Sequence, residues 1–141
     1  VSEPKLSDFP AKAFDKLRYG DTDRQGHVNN AVFSTFFETG RAEIIEDSNI
    51  LTLQAGQSIV IARLAVDFRA EIRWPGTVDI GTAVKAIGRS SITLVQALFQ
   101  HGKCVATAES VMVLVEGSTA RSTPMDAEAK QKLLRYVLPG T

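Results

Sequence analysis

The feature that most constrains this chain is a single change of hydrophobic period near Gly56. Upstream, Val32, Phe33, Phe36, Phe37, Ile44 and Ile45 recur at spacings of one, three and four, while Ser34, Glu38, Arg41, Glu43 and Glu46 take other faces. That repeat predicts one long helix over 30–47, with Asn29 or Asn30 as its N-cap, because a short amide can accept a hydrogen bond from an orphaned backbone N–H. After Gly56 the period falls to two. Val60, Ala62, Leu64, Val66 and Phe68 alternate with Arg63, Asp67 and Arg69, predicting a half-buried strand, and after the Pro75-Gly76 turn a second strand runs from 78 to 86.

Two further stretches are apolar on both faces, Ile92 to Phe99 and Cys104 to Val115, joined by His101-Gly102-Lys103. They pair most simply as a central antiparallel hairpin. Phe14 to Tyr19 is expected to form a first strand, although its alternation is poor. At the other end Thr123 is an N-cap candidate, followed by Pro124 at the first helical position and Asp126 as an acid in the first turn, and Met125, Ala129, Leu133 and Val137 form an apolar stripe on a short terminal helix whose segment 127–132 is expected to face solvent. The resulting order of strand, long helix and four strands is an α+β layout in which one phenylalanine-rich helix covers an antiparallel sheet.

At 141 residues, with 44% apolar and 23% charged side chains, the chain is expected to build a single domain over 1–141 around one core. Sixteen basic and sixteen acidic residues leave no net charge, which excludes a whole-surface field for nucleic acid or an anionic membrane. An anionic ligand must therefore be caught locally. The one cysteine, Cys104, cannot build a disulfide framework and is expected to be a buried strand residue. Val1 to Lys5 lack a signal-peptide pattern and the longest apolar run, Val111 to Val115, falls far short of a bilayer span, so a cytoplasmic location is expected.

The densest polar segment is Asp21-Thr22-Asp23-Arg24-Gln25-Gly26-His27-Val28-Asn29-Asn30, between the first strand and the long helix. Free N–H groups at a helix start can hold an oxyanion, and a carboxylate a few residues earlier can reach the same carbonyl. Those parts suit acyl transfer. A calcium loop is rejected because its twelfth position, where a glutamate belongs, is Val32. Asp21, Asp23 and His27 make a weak metal set without further ligands, so no metal and no cofactor are expected. Spacing alone leaves a catalytic loop and a merely helix-capping loop side by side.

Arg18 to Ala31, with Phe36-Phe37-Glu38 and Arg41, resembles the signature of the 4-hydroxybenzoyl-CoA thioesterase family of hotdog-fold proteins, which includes many acyl-CoA thioesterases. The His27-Val28-Asn29-Asn30 run is also similar to the catalytic segment of plant acyl-carrier-protein thioesterases, although Gln25 stands where that group has asparagine. The resemblance implies a hotdog fold: a long central helix wrapped by a curved antiparallel sheet of about five strands, with a short C-terminal helix. It implies hydrolysis of an acyl-CoA, with Asp23 as nucleophile on the thioester carbonyl or as general base for water. The backbone N–H near Asn30 would be the oxyanion donor. His27 would orient water, bond the carbonyl or stiffen the loop, and Gln25 would support substrate.

Arg89, in Gly88-Arg89-Ser90-Ser91, sits where the family carries basic residues toward the CoA phosphates, so Arg89 and Ser90 are candidate substrate-binding residues. Arg63, Arg69 and Arg73 are weaker candidates for the same role. Glu38 is expected to pair with Arg41 at three-residue spacing, and Phe33, Phe36 and Phe37 to be core. The resemblance further implies a homodimer or homotetramer with active sites at the subunit interface. Two alternatives are an acyl-carrier-protein thioesterase and a non-catalytic acyl-CoA-binding hotdog protein. An enoyl-CoA hydratase is disfavoured because no Asn-Pro pair stands between an aspartate and His27.

Overall fold

A computed structural model of the chain describes residues 3–49 and 56–138. Strand β1 (Ala11–Lys16) leads through a 3-10 turn (Tyr19–Asp21) into helix α1 (Asn30–Ser48). Strands β2 (Gln57–Phe68), β3 (Thr77–Ile87), β4 (Ser91–Gln100) and β5 (Lys103–Glu116) follow, and helix α2 (Ala127–Leu133) runs on into a 3-10 turn (Leu134–Tyr136). All strand pairs are antiparallel, in the order β1-β3-β4-β5-β2. The expected central hairpin is β4–β5, turned by His101 and Gly102 at φ 53° and 78°, the left-handed pair that suits a tight hairpin.

Helix α1 lies across one face of this sheet. Phe33, Phe36 and Phe37 pack with Ile72, Ile80 and Leu98 near the helix start, while Ile44 and Ile45 pack with Leu94, Met112, Leu114 and α2 near its end. Truncating a ring as buried as Phe37 typically costs about 3–5 kcal/mol. Between the two clusters helix and sheet touch through Gly40: a Cβ there would come within 2.5 Å of Thr82 Oγ1 and 2.7 Å of Gln96 Nε2. Gln96 Nε2 uses that close approach to donate to the Phe37 carbonyl at 2.9 Å and to Thr82 Oγ1 at 3.0 Å.

Four expectations are corrected. The first strand lies at 11–16 rather than 14–19, because Asp21 accepts from the Arg18 backbone N–H and guanidinium and bends Tyr19–Asp21 into a turn. In β2 the register shifts between Ile61 and Arg63, so Ile61, Leu64 and Phe68 stand opposite Met112, Ser110 and Ala106 on the helix side, whereas Val60 points the other way. This strand is also the sheet edge, and Val60, Ile61, Leu64 and Phe68 are exposed rather than half-buried. The N-cap of α2 is Asp126, not Thr123, and Ala129 within 127–132 is fully buried. Finally, Glu38 and Arg41 form no ion pair in the described structure: Glu38 is exposed and Arg41 is buried.

Candidate active site

The loop between the 3-10 turn and α1 folds back on itself. Asp23 N–H donates to the His27 carbonyl at 2.8 Å, Gly26 N–H donates to the Asp23 carbonyl at 3.2 Å, and Thr22 bridges Val28. Gly26 takes φ 82°, which an L side chain rarely adopts. The Asp23 carboxylate finishes the loop from inside: Oδ1 accepts from the Gln25 N–H at 2.8 Å and from the His27 N–H at 3.3 Å. Among the described residues Oδ2 takes no protein hydrogen bond, so one oxygen holds the loop and the other faces outward. Asp21, the neighbouring acid, is instead buried against Arg18 and serves the turn.

Two anchors fix this loop to the body of the protein. Val28 N–H donates to the Ile72 carbonyl at 2.8 Å and His27 bridges Arg73, tying the loop to the segment after β2. Asn29 caps α1, its Oδ1 accepting from the Ala31 N–H at 2.9 Å, and Val32 N–H turns back to the Asn29 carbonyl. Asn30 is therefore the first helical residue rather than the cap, and its N–H has no protein acceptor among the described residues. A free N–H at the positive end of a helix is a donor ready for an anion.

These pieces converge on one hollow. A cavity of about 300 Å³ is lined by Asp23, Gln25, His27 and Asn30, and by Phe33, Phe68 and Glu71 on its far wall. Phe33 and Phe68 meet edge to face with ring centroids 5.1 Å apart, giving that wall an apolar floor. A larger hollow of about 590 Å³ lies on the outer face of the sheet and contains none of the loop residues. Chemistry, not size, distinguishes the smaller one: among the described residues it brings a carboxylate, an imidazole and a helix N-terminus together.

Glu71 was not singled out by sequence. Its Oε2 lies 3.1 Å from His27 Nε2 and 3.0 Å from Arg73 Nη2, so the carboxylate joins the loop to the strand exit. A carboxylate at that distance favours the proton on Nε2, leaving Nδ1 as the lone-pair nitrogen of the neutral ring. The only signal in the chain was an acid two residues before Arg73, which nothing local separates from a solvated one.

The remaining candidates lie elsewhere in the protomer. Arg89 and Ser90 form the β3–β4 turn, where their carbonyls accept from Met125 and Leu114. The site borders the opposite end of β3, whose 11 residues span roughly 35 Å. Arg63 faces away from the helix and pairs with Glu109, and Arg73 is bound to Glu71. Cys104 is buried, and burial pushes its thiol up, opposed by Arg69, so it is no nucleophile for this site. Among the described residues no three His, Cys, Asp or Glu side chains gather as a metal site, and no helix is long and apolar enough to cross a membrane.

Comparison with known proteins adds an independent line. The family model described as the thioesterase-like superfamily matches residues 17–133. The Bacillus subtilis (strain 168) protein YsmA is 27% identical over 120 residues, covering 84% of this chain and 81% of that protein. A predicted thioesterase from Bacillus stearothermophilus superposes with a TM-score of 0.84 at 30% identity, covering 92% of this chain and 98% of that one. A Thermus thermophilus thioesterase solved with coenzyme A and Zn gives a TM-score of 0.79 at 29% identity, covering 89% of this chain and 92% of that one.

Proposed function

Because the chain belongs to the thioesterase-like superfamily of hotdog-fold proteins, we propose that it hydrolyses an acyl-CoA thioester to the free acid and CoA. The observation that carries this reading is the single cavity shared by Asp23, Gln25, His27 and Asn30 at the start of α1. The thioester carbonyl oxygen sits against the Asn30 N–H, where negative charge developing on it meets an unspent donor and the helix dipole. Asp23 Oδ2 then either attacks the carbonyl carbon or takes a proton from water. In the first route the C–S bond breaks from a tetrahedral intermediate, CoA leaves as the thiol after protonation, and water hydrolyses the acyl-Asp23 anhydride. In the second, Asp23 draws a proton from the water that attacks the carbonyl carbon, and the tetrahedral intermediate collapses with cleavage of the C–S bond, CoA leaving as the thiol once that proton is returned to the sulfur. His27, held by Glu71, orients that water or the carbonyl, and Gln25 supports the substrate.

The acyl group lies on the Phe33–Phe68 floor, and a homodimer completes the site. Support comes from β2, a 12-residue edge strand whose unpaired backbone and exposed apolar side chains invite a second strand. Antiparallel β2–β2 pairing sets the far end of one sheet beside the cavity of the other. Arg89 of the partner subunit and Ser90 of the partner subunit then come toward the CoA phosphates, a reach no single protomer allows. Within the superfamily the 4-hydroxybenzoyl-CoA branch is favoured by the Asp23-to-Asn30 loop. The whole chain acts as one domain, and its unpaired buried Cys104 suits the cytoplasm.

The test is thiol release from a panel of aryl, short, medium and long acyl-CoAs and from carrier-protein thioesters, with wild type and Asp23→Asn. Turnover of some member by wild type and its loss in the variant is the expected result. A flat response across the whole panel would replace catalysis with acyl-CoA binding, and turnover of carrier-protein thioesters alone would change the substrate class.

A further inference from the structure

Arg41 is a buried charge with two guanidinium nitrogens unpartnered among the described residues. Its side chain is only 6% exposed, and among the described residues its Nε and Nη1 find no hydrogen-bond acceptor. Burial lowers the guanidinium's pKa, and Glu38 one turn earlier opposes that by its charge without touching it. A lone buried cation is among the least favourable things a fold can hold, so its neighbourhood calls for an acceptor.

The helix phase says where that acceptor must come from. On β1's side of α1, Thr39 Oγ1 donates to Asp15 and Glu43 lines a hollow with β1 residues. At about 3.6 residues per turn, Ser34, Glu38, Arg41 and Ile45 fall on the opposite flank, toward β5 and β2. Helix α1 packs chiefly on β1, β3 and β4, so the β2 side of the same sheet face is open. There Ile61 is 44% exposed, Leu64 37% and Phe68 51%, forming the far bank of a trough whose near bank is the Glu38–Arg41 flank.

Level along the sheet supplies the second constraint. On α1, Arg41 lies between Phe37 of one core cluster and Ile45 of the other. On β5, Ser110 lies in the same gap, between Ala108 and Met112, and its buried Oγ is also unpartnered among the described residues. Opposite Ser110 on β2 is Leu64, beside the middle of the strand. A twofold axis through the centre of an antiparallel β2–β2 pair therefore passes at the level of Arg41. About that axis the two α1 flanks face one another, antiparallel, each carrying a buried guanidinium in need of a carboxylate. Glu38 is the acid at that level: it stands one turn from Arg41 on the flank facing the trough, and it is exposed in the protomer.

We infer that Arg41 is an intersubunit residue: a second copy of this chain seats in the trough, and Glu38 of the partner subunit pairs with the buried guanidinium across the twofold axis. This rests on the dimer proposed above and adds to it the polar contact that fixes register. A dimer held by apolar edges alone could slip along β2, whereas two crossed ion pairs at the axis permit one alignment.

Sedimentation velocity over a concentration series tests it with wild type, Arg41→Met, Glu38→Gln and the double variant. Each single change is expected to raise the dimer dissociation constant at least roughly tenfold, and the double variant should be no weaker than the worse single. An Arg41→Met protein that dimerises as tightly as wild type and melts higher, the outcome for a guanidinium that stays unpaired, would overturn the inference, as would additive losses in the double variant. Should Arg41→Met fail to fold, Glu38→Gln decides alone, because its side chain is solvent-exposed in the protomer; an unchanged dissociation constant then sinks the pair. A wild-type protein that is monomeric at every concentration removes the dimer itself, a failure distinct from the others.

Discussion

The Glu71 carboxylate sits 3.1 Å from His27 Nε2, so the imidazole at the candidate site is held from the strand exit and not only by its own loop. A ring tethered this way should act in one tautomer and one orientation. Glu71→Ala is expected to lower kcat roughly ten- to a hundredfold with KM changed little, while Glu71→Gln keeps an acceptor and recovers part of the rate. An unchanged kcat in a folded Glu71→Ala protein would remove this tether from the mechanism.

Asp23→Asn keeps an Oδ1 acceptor for the Gln25 and His27 N–H groups and removes only the charge. Loop geometry and melting temperature should therefore be preserved, and kcat/KM for the best acyl-CoA should fall by about 10²–10⁴. Full turnover in a folded Asp23→Asn protein would remove this residue from the mechanism.

Gly40 lets α1 touch the sheet, and the clash falls on Thr82 and Gln96, which hydrogen-bond each other there. Gly40→Ala must push the helix away or break that bond, at about 1–3 kcal/mol, or very roughly 3–12 °C in Tm. Calorimetry or circular dichroism would detect it, and a variant melting with wild type would show that the layer yields freely.

Tyr136 donates to the Asp47 carboxylate, tying the segment after α2 to the end of α1. Burial, then this bond and the Asp47 charge, raise the phenol pKa above its usual 10. In the folded state the proton is held more tightly, so the contribution is whole below about pH 10 and is lost as pH rises through the folded value. Thermal melts between neutral pH and strong alkali should show wild type losing part of its advantage over Tyr136→Phe in that window. Parallel curves would exclude the linkage.

Legibility followed the range of the interactions. Helix α1, the β4–β5 hairpin and the loop that carries Asp23 and His27 were visible because they depend on neighbours a few residues away: a 3.6 period, a left-handed His101-Gly102 turn, a cap. The bulge in β2 was not, because a one-residue register shift is decided by the strand opposite, and it turned Val60 away from the face where alternation put it. The first strand was misplaced for a similar reason. The Arg18–Asp21 contact that ends it is local, but an acid and an arginine three residues apart do not announce a turn.

By itself, the chain determined an α+β protein with one covering helix and a polar loop at that helix's start, because periodicity and capping chemistry are written within a few residues of where they act. Only the tertiary structure decided that Glu71 would meet His27, that Phe68 would floor the cavity with Phe33, and that Arg41 would be buried with its Nε and Nη1 unpartnered among the described residues. Glu71 and His27 are 44 residues apart and Phe33 and Phe68 are 35 apart. Such pairs meet only when the sheet closes over the helix, since a contact between distant residues is set by the register of every strand between them.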